Sequence, residues 1–281
     1  MTRLTTDILL KTDRDTQIYA DNVKLLTGMD PVSLAFSAAV HLKSISPYGA
    51  AHGGLGMLGS LSQISCCVVP VTAGQGRVDG FSASVESVLR YAGVQVVDSD
   101  GVDIDGFYRA WERGADVVFL ADDQRYMALN FRNGVCCENN AATAYGYMTA
   151  LEEMAGGPGS LRNRSVLLLG CGNVGSIAAN ALRQAGAALT LYDRDMLAAR
   201  RIKRDKDRVI TDPKDIAAFS YILDTTGTSG WLTSDMLREG AVVSAPCIPL
   251  SFAFDMAERP DIRLFHDSLH TGTLVMLEAV L

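Results

Sequence analysis

The run Ser165-Val166-Leu167-Leu168-Leu169-Gly170-Cys171-Gly172-Asn173-Val174-Gly175 constrains this chain more than any other. An apolar segment of strand length feeds directly into Gly-x-Gly-x-x-Gly and then into a helix. Gly170 permits the tight strand-to-helix turn, Gly172 lets the backbone approach a pyrophosphate, and Gly175 lets the helix lie close to the strand. The first N–H groups of that helix then face the phosphates. Ala178, Ala179, Ala181 and Leu182 give the helix a small, apolar face, and Gly186 ends it. A second strand, Ala188 to Tyr192, runs into Asp193, 18 residues past Gly175. A carboxylate there accepts hydrogen bonds from the adenosine ribose hydroxyls and repels a 2′-phosphate, so the expected cofactor is NAD. Arg194 is the dissenting neighbour, since a guanidinium there could hold a 2′-phosphate instead.

The chain has 281 residues, room for about two domains at roughly 150 residues each. A net charge of −7 argues against dependence on nucleic acid or an anionic membrane surface, and for a small-molecule substrate. No apolar run is long enough to span a bilayer, and the first residues lack a signal-peptide core, so the expected location is the cytoplasm. The six cysteines show no Cys-x-x-Cys and no zinc-like Cys/His spacing. They read as small buried hydrophobes, and no metal is expected.

Residues 12 to 43 read as helical with a break at Pro31, a cap or lid in front of a first sheet. A glycine-rich stretch from 46 to 62 follows. Strands at 66–71, 94–97 and 116–121 then alternate with helices ending at Gly93 and Gly114. This alternation implies right-handed crossovers and a parallel sheet. Asn139 or Asn140 opens a long helix to about Met154. Strands at Tyr221–Gly227, Ala241–Pro246 and Arg263–Asp267 complete the second sheet. The final helix, Thr273 to Leu281, is almost wholly apolar and must be buried against the other domain or another subunit, which leaves a homodimer open. The expected architecture is α/β with two domains: an N-terminal helical cap plus small parallel α/β substrate domain (1–138), a linking helix (139–159), and a C-terminal Rossmann domain (160–281), with a cleft between the two.

Ligands of parallel sheets bind beyond the carboxyl ends of the strands. That rule offers Thr72 to Gly76, Asp122 and Asp123, Asn139 and Asn140, Thr225 to Thr228 and His266 to His270. Asp122 closes an apolar strand, so desolvation should raise its pKa and suit it to accept a proton; a carboxylate that merely caps a turn is the competing reading. Asn140 taken alone reads better as a helix N-cap than as a functional residue. No lysine occurs between Lys43 and Lys203, so proton transfer falls to carboxylates and water.

From Val68 onward the sequence resembles the pyrrolysine synthase (PylD) family of dehydrogenases. The resemblance is carried by Val69-Pro70-Val71-Thr72-Ala73-Gly74-Gln75-Gly76, Gly80-Phe81-Ser82-Ala83-Ser84, Leu120-Ala121-Asp122-Asp123, Asn133-Gly134 with Asn139-Asn140, the glycine turn, and Pro246-x-Ile248-Pro249. It implies an NAD enzyme acting on L-lysine-Nε-(3R)-methyl-D-ornithine. The terminal amine would be oxidised to an imine, water would release ammonia, and the ornithine α-amine would close the pyrroline ring to give pyrrolysine. By the same resemblance Asp122, Asn140 and Asp267 would be catalytic, and Leu4, Thr72, Ala73 and Phe81 would contact substrate. Gly170, Gly172, Asn173, Val174, Gly175, Asp193, Thr225 and Thr226 would hold the cofactor. Asp267 stands where a glutamate is expected and Ala73 where a serine is. Another NAD-dependent amine or amino-acid dehydrogenase, or a cyclodeaminase-like enzyme, would share the Rossmann half; a non-enzymatic NAD-binding protein would share only the glycine turn.

Overall fold

The computed structural model describes residues 12–44, 61–74, 80–267 and 269–281. The chain divides into two compact units. Leu4, Gln75 and Gly76 and most of the glycine-rich stretch lie outside the described residues. Among those described, no single helix is long and apolar enough to cross a membrane.

The first unit holds Asp30–Ala142 and Leu269–Leu281 with the chain up to Asp21. Its helices are the first part of α1 (Thr12–Thr27), α2 (Pro31–Lys43), α3 (Phe81–Tyr91) and α4 (Asp103–Glu112). The break at Pro31 is real. Asp30 caps α2 by accepting from Val32 and Ser33 N–H, and proline takes the first helical position, where its missing N–H costs nothing. The sheet has strands β1 (Ser65–Pro70), β2 (Gln95–Val97), β3 (Val117–Ala121), β4 (Tyr126–Asn130) and β5 (Cys136–Glu138), in the order β2-β1-β3-β4-β5. The expected parallel arrangement covers β1, β2 and β3. Beyond it β4 and β5 add an antiparallel meander that the sequence pattern did not reveal. Alternate positions of β4 are only half-buried, and β5 has three residues, so neither carries the continuous apolar run that marks the buried parallel strands.

The second unit holds Thr143–Ser268 with Asn22–Met29. The latter is tied in by Arg263, whose guanidinium donates to Leu26 O at 2.7 Å and Met154 O at 2.8 Å. Its elements are α5 (Asn139–Met154, shared with the first unit), β6 (Ser165–Leu169), α6 (Asn173–Gln184), β7 (Ala188–Tyr192), α7 (Met196–Ile202), β8 (Arg208–Val209), β9 (Tyr221–Asp224), β10 (Val242–Ser244) and β11 (Arg263–Phe265). The sheet order is β11-β10-β9-β6-β7-β8, and every pairing is parallel. Counted along this unit, that is the doubly wound order 3-2-1-4-5-6, with the switch point beside β6. The two-residue β8 was not expected from sequence. Leu167, Leu169, Ile222, Val243 and Ala245 are buried in the core of this unit, with Ile216, Leu232 and Leu237 among the residues packed there.

One boundary needs correction. The last helix, α8 (His270–Val280), belongs to the first unit and not to a Rossmann domain ending at residue 281. It packs on α2, α3, β4 and β5. Nine of its eleven residues are buried, so it has no polar face to leave in water and needs partners on every side. Asn130 and Asn133 fasten its end by donating to Val280 O, each at 3.0 Å.

Candidate functional site

The glycine turn sits at the carboxyl end of β6, as its spacing requires. Gly170 has φ +87°, a conformation that side chains other than glycine rarely adopt. A Cβ on Gly175 would overlap the Gly170 carbonyl oxygen and come within 2.8 Å of Thr225 Oγ1, so only glycine lets α6 approach this closely. Gly172 differs. Its φ of −77° suits any residue, and among the described residues, its own chain neighbours aside, a Cβ there would meet nothing within 4 Å. The protein's own packing therefore does not demand glycine at 172. The space beside it lies at the start of α6, whose N-cap residue, Gly172 itself, has no side chain to cap it. An uncapped N-terminus with an open approach fits a pyrophosphate, with Asn173 and Val174 supplying the first helical residues.

Asp193 follows β7 and is half-buried. Its Oδ2 accepts from Cys171 N–H at 2.6 Å and its Oδ1 from Asp195 N–H at 2.7 Å. The carboxylate is thus already anchored to the glycine turn, and each oxygen keeps acceptor capacity for a hydroxyl. Burial raises the Cys171 thiol to about 12, with the neighbouring Asp193 adding to the effect, so this thiol is an inert packing group. Thr225 Oγ1 reaches Leu169 O and Gly170 O, both at 3.0 Å, bracing the turn from the adjacent strand end. Thr226 bonds Asp224 through both N–H and Oγ1.

In the first unit the structure brings Asp122 and Asn140 into one cluster, linked by residues that no sequence motif singled out. Arg125 pairs with Glu138 at 3.2 Å, and Asn140 Nδ2 donates to the same Glu138 Oε1 at 3.1 Å. Asn140 lies inside the first turn of α5 and not at its cap. The expectation for Asp122 is overturned. This residue is exposed, and its pKa is lowered, because Oδ1 accepts the N–H groups of Arg125 and Gln124, each at 2.7 Å. The physical reason is the hairpin. After β3 the chain reverses into β4, so Asp122 heads a tight turn in water and its carboxylate satisfies the turn's donors.

The loop after β1 is fixed by carboxylates. Thr72 donates its N–H to Asp103 Oδ1 at 2.7 Å and its hydroxyl to Oδ2 of the same residue, which lowers the Asp103 pKa. Asp103, at φ +54°, opens α4 two residues before the expected start at Asp105. Gly74, at φ +73°, backs directly onto the Asp123 side chain. Ala73 is exposed between them. Phe81 begins α3 and meets Tyr126 edge-on at 5.2 Å; Tyr126 in turn bonds Thr273 Oγ1 at 2.8 Å.

Asp267 belongs to the second unit and is buried. Tyr147 OH donates to its Oδ2 at 2.7 Å, while the Asp267 N–H donates back to that hydroxyl oxygen at 3.0 Å. Five cysteines are buried and Cys136 is exposed. Among the described residues no group of three or more His, Cys, Asp or Glu could hold a metal ion. An open recess of about 510 Å³ lined by Leu250, Phe252, Met256 and Leu264 includes none of the predicted site residues.

Fold and site together define a two-unit α/β protein whose second unit is a Rossmann-type, doubly wound parallel sheet with a glycine turn after its first strand. Residues 10–137 match the family model described as the N-terminal domain of pyrrolysine biosynthesis protein PylD. The pyrrolysine synthase of Methanosarcina barkeri is 30% identical over 214 residues, covering 76% of this chain and 80% of the relative. That of Methanosarcina acetivorans is 28% identical, covering 77% and 83%. Among solved structures, a shikimate 5-dehydrogenase from Thermus thermophilus in complex with NADP(H) and shikimate is similar at a TM-score of 0.48 and 15% identity, covering 77% of this chain and 91% of that one. The chain belongs to the pyrrolysine synthase family.

Proposed function

We propose that this protein is an NAD-dependent dehydrogenase of pyrrolysine biosynthesis. On this reading it oxidises the terminal amine of L-lysine-Nε-(3R)-methyl-D-ornithine, ammonia is lost, and the ring closes to pyrrolysine. The observation that carries the proposal is the 30% identity to a pyrrolysine synthase across 80% of that protein's length. The glycine turn supports it independently, because Gly172 leaves open space that the protein's own packing does not use. A cytoplasmic setting goes with the reading.

Bound NAD would supply the hydride acceptor. Gly170, Gly172, Asn173, Val174 and Gly175 would hold its pyrophosphate through backbone N–H groups. Asp193 would take the adenosine ribose, with Thr225 and Thr226 beside it. Thr72, Ala73, Phe81 and Leu4 are assigned to the substrate. An ammonium must lose a proton before its carbon can release hydride, because the nitrogen lone pair stabilises the developing cation. Asp122, kept ionised by its turn, is better suited to bind an ammonium than to take its proton, since a base of low pKa gains little from protonation. We therefore assign Asp122 and Asn140 to holding the ornithine end, with water carrying the proton. Asp267 is assigned a buried acidic contact on the cofactor unit.

Incubation with NAD and the diamine, followed by mass analysis, tests the reading. One ammonia should appear per NADH, with a cyclic imine as product. Turnover of a hydroxy acid without ammonia release would overturn it. Turnover of a different amine in preference would favour another amine dehydrogenase or a cyclodeaminase-like enzyme.

A further inference from the structure

Asp224 closes β9 and has no exposed surface, although no sequence motif marks it. Its Oδ1 accepts Thr226 N–H at 3.0 Å and Thr226 Oγ1 at 2.8 Å, and the Ser251 hydroxyl lies against Oδ2. The donors come from the loops that follow β9 and β10, so the carboxylate ties together segments beyond the strand ends. An indole N–H can only donate. The 3.0 Å contact from Trp231 Nε1 therefore makes Thr226 Oγ1 an acceptor and directs that hydroxyl's own proton to Asp224. The indole also stacks on Tyr192, with ring centroids 5.9 Å apart and planes 20° apart. Tyr192 is the last residue of β7 and immediately precedes Asp193. From the other side of the same strand end, Thr225 reaches the Gly170 carbonyl.

A buried carboxylate is expensive to desolvate and is tolerated only when its lone pairs are satisfied. Here the satisfied lone pairs fix a directional chain from Asp224 through Thr226 and Trp231 to the residue next to Asp193. We propose that Asp224 is a positioning residue for the dinucleotide, acting through Thr226 and Trp231 to set the Tyr192–Asp193 strand end that receives the adenosine ribose. The inference rests on the NAD reading above.

The test uses the full chain with Trp111→Phe, which leaves Trp231 as its only tryptophan. Calorimetry gives the NADH Kd, and indole emission reports the Thr226 contact. Asp224→Asn should shift that emission and weaken NADH about tenfold, the scale of one misplaced hydrogen bond to a charged group. Trp231→Phe should weaken NADH similarly, and the double variant should be no weaker than the worse single, because both act along one chain. Additive losses, or an Asp224→Asn Kd within about twofold of the parent, would overturn the inference, since a role in stability alone predicts a lower Tm with unchanged Kd. If Asp224→Asn does not fold, Ser251→Ala decides: weaker NADH binding supports the proposal and unchanged binding overturns it. Should the parent bind no NADH at all, the NAD reading itself fails and this inference falls with it. A parent that binds while the variants bind equally well sinks the inference alone.

Discussion

Gly172 and Gly175 stand three residues apart in one turn, and alanine at each should fail for a different reason. At Gly175 a Cβ would overlap the Gly170 carbonyl oxygen and approach Thr225 Oγ1 to 2.8 Å, so α6 would have to move off the sheet. Overpacking of this kind costs about 1–3 kcal/mol or more, against a helix-propensity gain of about 1 kcal/mol. Overlap with a backbone oxygen puts the cost at the upper end, a net loss of about 2 kcal/mol, so at roughly 2–4 °C per kcal/mol the Tm should fall by about 4–8 °C. At Gly172, its own chain neighbours aside, nothing among the described residues lies within 4 Å of where the added methyl would stand, and φ is −77°. Alanine is a poorer N-cap than glycine by about 0.5–1 kcal/mol, and the stiffer unfolded chain returns about 0.4–1 kcal/mol. The Tm of Gly172→Ala should thus stay within about 2 °C of the parent. The same methyl would occupy the space assigned to the pyrophosphate, so NADH binding should weaken by about 10- to 100-fold, or 1.4–2.7 kcal/mol. Thermal unfolding followed by circular dichroism and an NADH titration read the two quantities separately. If Gly172→Ala bound NADH within about twofold of the parent, the open space would not be a phosphate approach and the cofactor assignment would be wrong.

Asp193→Ala should relax the preference for NAD over NADP by on the order of ten- to a hundredfold, and should also weaken NAD itself, because it removes the acceptor for Cys171 N–H; tighter binding of NADP by the unsubstituted protein would place Arg194 in control. Asp122→Asn should raise KM for the diamine about tenfold or more while leaving the NADH Kd unchanged. The Asp122 pKa is depressed, so its charge, and any affinity or stability it contributes, persists above the ordinary carboxylate value and is lost only as pH falls through the lowered one. The diamine KM should therefore hold between about pH 5 and 8 as far as Asp122 is concerned, and a titration in KM near pH 6 would assign the dependence to another group. Tyr147→Phe removes the 2.7 Å donor to the buried Asp267 and should lower stability by about 1–3 kcal/mol in denaturant titration; an unchanged midpoint would refute a stabilising role for this bond.

What the sequence determined by itself is what short-range geometry dictates. Gly170, Gly172 and Gly175 act within one turn, and Asp193 is placed by one strand–helix–strand unit, so their spacing along the chain specifies their arrangement. The buried parallel strands β1, β3 and β6 were legible for a similar reason, since each is built on a continuous apolar run. Tertiary structure decided the rest. The apolar composition of α8 said that it must be buried but not against what, and the partners are α2, α3, β4 and β5 in the first unit. Asp122 follows an apolar strand, which suggested desolvation; whether the chain then enters a core or a hairpin turn depends on the pairing of β3 with β4, far weaker in sequence. Asp103 and Asp224 were invisible for a related reason. One is recruited by Thr72 from 31 residues away and the other holds Ser251 from 27 residues away, and hydrogen bonds between distant loops leave no spacing to read.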